Sequence, residues 1–488
     1  MGRMNWLGLA LLLVGCEVGP NYKAPQTRLP AQYAFRAATQ PATTQPVAVQ
    51  APPIRLAEWW RSFNDPILND LINHAVQANL DLKIATARLI QARAQYGITY
   101  AGLFPTVDVD GTATRQRVSL NGPDFIDVPT TVTNSAGKQV PVHFNNTYDL
   151  FQAGFDATWE LDIFGGQKRA VESAKADIES SWESRNDVLV SLLAETARNY
   201  IEYRAFQRRL DLTQQDIRSE EESVTVTRQR FRAGLTNDLD VARAEAEVTT
   251  TTAQLPDLTR QMDASLQTLA VTLGTDAQSL ETELGPVRPI PVAPPNVPVG
   301  LPSDLLRRRP DVRAAERQIA SATAQIGVAT AELFPQFTLT GSLGLQSDHF
   351  KSIGNFNSRY WSIGPSVSWP LFDAGKIRSN IALQKAITAE KWANYQKTVL
   401  QALSDVETAL ESYTNERDRR VQLAKSVQAL QRALDLANQL YKQGVGEFLD
   451  VLDAERSLFT AEDLLAQSDQ AVSADLVSLY KALGGGWD

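Results

Sequence analysis

Residues 167–233 read QKRAVESAKADIESSWESRNDVLVSLLAETARNYIEYRAFQRRLDLTQQDIRSEEESVTVTRQRFRA, an unusually long run that contains no glycine and no proline. A second run of this kind covers 376–443. Both are rich in Ala, Leu, Glu, Gln, Lys and Arg, which favour helix. Each run therefore predicts one helix about 100 Å long, at about 1.5 Å per residue. Helices of globular domains rarely exceed about 20 residues, so this length indicates a coiled coil or a helical array.

The apolar residues of the two runs recur along one stripe, as packed helices require. The stripe contains Val188, Leu192, Ala197, Tyr200 and Ile201 in the first run and Val399, Leu403, Val406, Ala409, Leu410 and Tyr413 in the second. A solvated, charged helix is the alternative, and the regular stripe disfavours it.

The two runs occupy equivalent places in an internal repeat. The stretch LFP occurs at 103–105 and again at 333–335, while Trp159 corresponds to Trp369 and Gly234 to Gly444. Along the chain, the two LFP stretches are farther apart than the two tryptophans or the two glycines are. This difference predicts one longer loop in the first copy, within 106–158. Each copy reads helix, two strands, very long helix, tight turn, helix. We therefore predict a tandem repeat, with copies at 58–284 and 305–488 and a Pro-rich, irregular linker at 285–304.

Four segments alternate between apolar and polar residues with the period of a β-strand. Their apolar members include Val107 and Val109, Phe155 and Trp159, Phe337 and Leu343, and Trp361 and Val367. A soluble sheet over a core would alternate in the same way. The length of about ten residues and the aromatic residues near the strand ends favour strands that span a membrane. Four strands cannot close a barrel, so three chains would have to supply 3 × 4 = 12 strands.

The amino terminus has the pattern of a lipoprotein signal. Residues 1–15 combine Arg3 with the short apolar run of 7–14, and Leu13-Val14-Gly15-Cys16 ends in the only cysteine of the chain. We predict that 1–15 is a signal peptide and that Cys16 carries lipid on an extended, Pro-rich arm at 16–57. An ordinary signal peptide beside an incidental cysteine is the alternative.

Composition excludes several classes of protein. The chain has 47 Lys and Arg against 56 Asp and Glu, a net charge of −9, which argues against binding of nucleic acid. Three histidines and one cysteine leave little for a metal site. No Gly-rich phosphate loop is present, so we expect no ATP hydrolysis, no catalytic residues and no enzymatic activity. A membrane-spanning helix needs an apolar run of about 18 residues or more, and the sequence has none, so we expect no such helix.

The chain resembles the TolC-like outer-membrane factors, in particular the NodT/OprM-type lipoproteins of efflux systems. The matching stretches are CEVGPNYKAP (16–25), WWRSFNDP (59–66), WELDIFG (159–165) and LPSDLLRRRPD (301–311) continuing to LFP (333–335). The resemblance implies a homotrimer with a 12-stranded β-barrel in the bacterial outer membrane, continuous with a periplasmic α-helical coiled-coil barrel. It implies a passive exit duct that docks on a periplasmic adaptor and an inner-membrane RND-type pump. The only prosthetic group would be the covalent lipid on Cys16, which would anchor the protein in the outer membrane.

The turns after the two long runs would form the periplasmic tip. Gly234 and Gly444 fit left-handed caps at the ends of the long helices, and Asp238 is expected to cap the next helix. The resemblance implies a second role, contact with the adaptor. The residues concerned are Gly234, Leu235, Gly444, Val445 and Gly446.

Asp240, Asp450 and Asp453 match the carboxylates that line the entrance in this family. In a trimer they would form rings of like charge, which favour cations. Arg243 could pair with Asp450 or Asp453 on a neighbouring helix and hold the tip closed. Some relatives have an arginine where this chain has Gly446, so their closed-state network does not transfer directly. A solvated surface role is the alternative for these carboxylates.

Two other functions stay open from the sequence. One is an exit duct for a secreted protein, which would differ in its adaptor. The other is a periplasmic coiled-coil scaffold lipoprotein with a soluble β-hairpin module, which the strand length and periodicity disfavour.

Overall fold

The structure is a computed structural model, and it describes residues 17–27, 30, 33, 56–119, 131–133, 135–141, 147–292 and 304–487. The predicted signal peptide 1–15, the lipid site Cys16, most of the arm 16–57 and residues 293–303 of the linker lie outside the described residues. The chain divides into two compact units. One consists of the described residues up to Lys23 with Arg93–Ala176 and Ala320–Ala389, and the other of Ala24–Ala92, Asp177–Ile319 and Glu390–Asp488.

Both halves of the chain follow the predicted order of elements. After a 3-10 helix at Leu56–Phe63, the first half contains α1 (Pro66–Ala78), α2 (Leu80–Ala101), β1 (Thr106–Arg117), β2 (Thr131–Thr133), β3 (Gln139–Pro141), β4 (Thr147–Leu161), α3 (Gly166–Arg232), α4 (Asp238–Thr252), α5 (Leu255–Leu273) and α6 (Ala277–Leu284). The second contains α7 (Leu305–Arg308), α8 (Pro310–Ala331), β5 (Gln336–Ser347), 3-10 turns at Phe350–Ser352 and Phe356–Ser358, β6 (Arg359–Ser368), α9 (Lys376–Gln443) and α10 (Phe448–Ala482). The prediction of two uninterrupted long helices is confirmed: α3 has 67 residues and α9 has 68.

The four predicted strands form one antiparallel sheet in the order β1-β4-β5-β6. Its register places side chains of one kind in rows across all four strands. Val109, Phe155, Leu343 and Trp361 are successive partners in one row, and Asp108, Asp156, Ser342 and Ser362 in the next. Because neighbouring residues point to opposite faces, the sheet has one apolar face and one polar face.

Two tryptophans make the same bond in the two halves of the chain. The indole Nε1 of Trp159 donates to the Leu103 carbonyl oxygen at 3.0 Å, and that of Trp369 donates to the Leu333 carbonyl oxygen at 3.1 Å. Each bond joins the end of a strand to the segment that leads into the hairpin. The observation agrees with the repeat inferred from the sequence.

The longer loop of the first half contains a second, small sheet that the sequence pattern does not predict. Strands β2 and β3 pair through Thr131 with Pro141 and Thr133 with Gln139. Gly137 lies between them with a φ of +74°. Three residues per strand are too few for a periodic signal to be recognised.

The helix after the first turn is broken, although we predicted one helix. Helix α4 ends at Thr252 and α5 begins at Leu255, whereas α10, its counterpart, runs unbroken for 35 residues. The cause is local. Residues 249–252 are four threonines, which have weak helix propensity, and Pro256 lacks the N–H that a continuous helix would need at that position.

Helix α8 is packed on two sides, whereas α2, its counterpart in the first half, is not. The Arg317 guanidinium pairs with Glu179 of α3 at 3.1 Å, and Thr388 of α9 donates to the Ala322 carbonyl oxygen at 3.2 Å. Helix α2 contacts α3, where Arg185 donates to the Thr86 hydroxyl at 3.2 Å. Its other side exposes large apolar side chains, namely Leu80, Ile84, Ile90 and Ile98.

The helical unit has its core where the chain ends meet the long helix. Trp59 is fully buried and stacks on Tyr480 with ring centroids 5.2 Å apart. Tyr200 of α3 is equally buried and donates to Asp65 at 2.8 Å. Burying large aromatic surfaces of this kind is a main source of stability. The predicted stripe residues of α3 and α9 are buried, except for Val188 and Leu403, which are partly exposed.

Candidate functional site

The first helix turn closes with the predicted left-handed glycine. Gly234 has a φ of +71°, its N–H donates to the Phe231 carbonyl oxygen at 2.9 Å, and the Leu235 N–H donates to the Arg230 carbonyl oxygen at 2.9 Å. These two bonds satisfy carbonyl groups that the helix end would otherwise leave free. The predicted cap is confirmed.

The second turn has the same geometry and one additional close contact. Gly444 has a φ of +79°, and the N–H groups of Val445 and Gly446 both donate to the Leu440 carbonyl oxygen at 3.1 Å. A Cβ on Gly446 would lie 3.0 Å from the Leu440 Cβ. Glycine at 446 therefore lets this turn close tightly, which is a structural reason for the absence of an arginine there.

The prediction that Asp238 caps α4 is wrong. Asn237 is the N-cap, and its side-chain oxygen accepts from the Asp240 N–H at 3.0 Å. Asp238 is the first residue of the helix instead. Either side chain can cap a helix, and the position of the first helical turn decides between them.

Helix α10 begins with a capping box. The Glu447 side chain accepts from the backbone of Asp450, and the Asp450 carboxylate accepts from the Glu447 N–H at 3.3 Å. Asp240 and Asp450 thus both lie in the first turn of a helix, where the positive end of the helix dipole stabilises a carboxylate. These two of the three predicted gate carboxylates occupy equivalent positions in the two halves.

Arg243 is not paired with Asp450 or Asp453 in the chain. Its guanidinium lies 3.7 Å from the Asp240 carboxylate, one turn earlier on the same helix. Asp240 also accepts a hydrogen bond from the Thr236 hydroxyl. Asp450 and Asp453 are exposed. Of the three carboxylates predicted to form the gate, Asp240 is thus held by other side chains, whereas Asp450 and Asp453 are open to solvent.

A small core packs beneath the two turns. It joins α3, α4, α9 and α10 through Val224, Ala244, Leu434, Tyr441, Phe448, Val451, Leu452 and Leu458. Above it, the Arg230 guanidinium lies 4.5 Å from the centre of the Tyr441 ring. This cation–π contact links the last turns of the two long helices.

The turns themselves present apolar side chains to solvent. Leu235 is 65% exposed and Val445 is 74% exposed, and Leu239 and Leu449 are exposed beside them. Several large apolar side chains in one small region indicate a surface that another protein covers.

Sequence reasoning missed three carboxylates beneath the turns. Glu220 of α3 and Glu455 of α10 are buried, and Glu247 of α4 is buried beside them. Burial raises the pKa of Glu220 and of Glu455 to about 7, and neighbouring carboxylates add to the effect. The spacing of the residues could have predicted this burial. Asp216, Glu220 and Val224 continue the buried stripe of α3, each four residues after the last.

Across the described ranges, no group of three or more His, Cys, Asp or Glu side chains could hold a metal ion. No helix in the part of the chain that the structure describes is long and apolar enough to cross a membrane.

Comparison with known proteins agrees with the fold. The model of the outer membrane efflux protein family matches residues 71–275 and again residues 301–485. The chain belongs to the outer membrane efflux protein family. The two matches of the family model cover most of the two copies inferred from the sequence.

Several known proteins are similar to nearly the whole chain. Nodulation protein T of Rhizobium leguminosarum bv. trifolii is 33% identical over 98% of this chain and 96% of its own length. The pyoverdine export outer membrane protein OpmQ of Pseudomonas aeruginosa is 32% identical over 100% of this chain and 97% of its own length. The solved structure of the outer-membrane channel OprN is 34% identical, with a TM-score of 0.85 over 97% of this chain and all of that one. The predicted fold class, a TolC-like outer-membrane channel, is confirmed.

Proposed function

We propose that this chain is the outer-membrane exit duct of an efflux pump, which conducts small molecules passively from a periplasmic adaptor and an inner-membrane RND-type pump. It lies in the outer membrane and extends into the periplasm. The relatives named for antibiotic, toluene and pyoverdine export support export of small molecules over secretion of a protein. The energy would come from the pump, since the duct itself needs no cofactor beyond the lipid predicted on Cys16.

The observation that carries the proposal is the uncovered apolar face of the sheet. Val109 is 73% exposed, Phe155 55%, Leu343 59% and Trp361 74%. A soluble sheet would bury this row under other elements of the chain. Strands of 10 to 15 residues are long enough to cross the hydrocarbon region when tilted. Lipid would cover the apolar face, and the polar face would line the channel.

The sheet also supports the homotrimer. Strands β1 and β6 are its two edges. An edge in lipid would leave backbone N–H and C=O groups without partners, at several kcal/mol each, so the edges of different chains must pair. Three chains supply 3 × 4 = 12 strands, and β6 of one chain would pair with β1 of the next.

The helices support the same assembly. Within one chain, α8 is bonded to both α3 and α9, and α2 is bonded to α3. The bare side of α2 has large apolar residues that include Ile90 and Ile98. If the repeat is completed around the trimer, α9 of a neighbouring chain covers α2. Helix α9 has exposed apolar side chains for this contact, among them Leu383 and Leu400.

The tip turns are assigned two roles. Gly234, Leu235, Gly444, Val445 and Gly446 would contact the adaptor, and the exposed Leu235 and Val445 support this. Asp240, Asp450, Asp453 and Arg243 would form the periplasmic gate. In a trimer the exposed Asp450 and Asp453 would each occur three times around the axis, which favours cations.

The test is the native mass of the full-length protein extracted in mild detergent. We expect three times the chain mass. Ile90→Asp with Ile98→Asp should weaken the trimer, because both changes place charge on the bare side of α2. Gln278→Asp is the control, since Gln278 is exposed on α6 rather than on the bare side of α2, and it should leave the trimer intact. A monomer for the unmodified protein would contradict the proposal and favour the scaffold alternative.

A further inference from the structure

Three buried carboxylates tie α3, α4 and α10 together in pairs beneath the tip turns. Thr251 of α4 donates to Oε1 of Glu220 on α3 at 2.7 Å, and Ser223 of α3 donates to Oε1 of Glu455 on α10 at 2.7 Å. Arg456 of α10 donates through Nε to Oε2 of Glu247 on α4 at 2.8 Å. Each pair of helices therefore meets at one carboxylate.

The charges around this cluster do not balance. Arg456 is bound to Glu247, and Arg209 is bound to Asp463 at 2.6 Å. Lys442 of α9 lines a small cavity with Glu222 and Glu455. Three further carboxylates act on these groups, namely Asp216 on α3 and Asp453 and Glu462 on α10, and Arg208 acts on Glu462. Fully ionised, the cluster would concentrate negative charge inside a helix contact, where the effective dielectric constant is low.

One oxygen of Glu220 has no partner. The side chain is 2% exposed, and its Oε2 atom is buried without a hydrogen bond, whereas Oε1 accepts from Thr251. A bare carboxylate oxygen in such a position loses its hydration without compensation. A protonated carboxyl group would remove the charge and could donate to a neighbouring carboxylate.

We propose that Glu220 and Glu455, together with Glu247, hold a bound proton between α3, α4 and α10, and that this proton keeps α4 and α10 packed on α3. Glu455 lies little more than one helical turn after the gate residue Asp450, roughly 7.5 Å along α10. Loss of the proton would place repelling charges in this contact and loosen the helices that present the gate.

The direction in which pH changes the stability follows from the pKa values in the folded and unfolded states. In the folded chain the pKa of Glu220 and of Glu455 is about 7, against an ordinary value of 4.5. Between these values the folded state binds more protons than the unfolded state, so stability falls as the pH rises. The loss should begin near pH 4.5 and level off above about pH 7. Asp216, whose pKa burial also raises to about 7, would act in the same sense.

The first test is thermal unfolding of the detergent-solubilised full-length protein from pH 5 to pH 8, with EDTA present. We expect the Tm to fall across this range by about 3 °C or more. Glu220→Gln with Glu455→Gln should flatten the dependence, because the amides cannot ionise. Glu221→Gln is the matched control, since Glu221 is the exposed neighbour on the same helix, and it should keep the full slope. Glu220→Gln alone and Glu455→Gln alone should each remove part of the dependence of Tm on pH.

A double variant with the slope of the unmodified protein would overturn the proposal. A slope that appears only without EDTA would also overturn it, because a metal ion would then be the ligand.

The second test is single-channel conductance in planar bilayers over the same pH range, and this arm rests on the proposed function. We expect conductance to rise above pH 7 in the unmodified protein and to stay constant in the double variant. Channels that conduct but show no difference between the two proteins would overturn the link to the gate. Absence of any channel, with the Tm result as expected, would contradict the proposed function and leave the proton site standing.

Discussion

A single glycine in each tip turn decides how the chain reverses direction. Gly234 and Gly444 have left-handed backbones, and no atom within 4 Å blocks a Cβ at Gly234, while at Gly444 the nearest atom is Arg230 Nη2 at 3.9 Å. The constraint is therefore conformational rather than steric. An L-residue in this conformation costs roughly 1 kcal/mol.

We expect Gly234→Ala and Gly444→Ala each to lower the free energy of unfolding by about 1 kcal/mol, measured by denaturant unfolding in detergent. Gly354→Ala is the control, because Gly354 also has open space around it and does not have a positive φ. Equal effects at all three positions would show that the left-handed conformation is not what the glycines supply.

The carboxylates predicted to form the gate differ in how firmly the chain holds them. Asp240 has contacts with Thr236 and Arg243, and Asp450 belongs to a capping box. We expect Asp240→Asn with Asp450→Asn to reduce the cation preference of the channel, measured as a shift of reversal potential under a salt gradient. Asparagine keeps the shape of the side chain and removes its charge. Asp435→Asn, at an exposed position on α9, should leave selectivity unchanged, and an unchanged preference in the double variant would remove both residues from the gate.

At the scale of elements, the sequence predicts what depends on periodicity. The two long helices and the four strands carry strong periods of 3.6 and 2, and they occur where predicted. The break between α4 and α5 and the hairpin of β2 and β3 were missed, since each depends on a few local residues. The cap at Asn237 was missed because two adjacent residues could both cap the helix.

The buried carboxylates could not be predicted from periodicity either, and the cause is different. Amphipathic patterns assign an acidic residue to the solvated face, and Glu220 and Glu455 lie in the contact between helices. Only the three-dimensional arrangement of α3, α4 and α10 reveals which charges face one another. The gate carboxylates were named from a family resemblance, and their role in gating stays a prediction.

For the whole molecule, the surfaces that one chain leaves uncovered indicate which contacts the assembly would have to make. The apolar face of the sheet, the edges of β1 and β6 and the bare side of α2 each need a different cover, which lipid and neighbouring chains would supply. The sequence alone indicates that the strands alternate. It does not indicate that the apolar face lacks a partner within the chain, because that depends on how every other element packs.

The arm after Cys16 is held where β4 joins α3. The Val18 N–H donates to the Phe164 carbonyl oxygen at 3.2 Å. The buried Arg169 donates to the Val18 carbonyl oxygen at 3.2 Å and to Asn21 at 2.5 Å. Under the proposed function this junction lies at the periplasmic surface of the outer membrane, so lipid on Cys16 would be in reach of the bilayer.

We therefore expect Cys16→Ser to abolish incorporation of labelled palmitate and to lower the amount of protein in outer-membrane fractions, since several acyl chains would contribute about 0.8 kcal/mol per buried CH₂. Arg169→Met leaves Cys16 in place but removes the hydrogen bonds of Arg169 to Val18 and Asn21. This variant should still incorporate labelled palmitate, and its thermal stability after extraction should be lower. Label retained in Cys16→Ser would show that the lipid is attached elsewhere. Absence of label in the unmodified protein would favour the ordinary signal peptide over the lipoprotein signal.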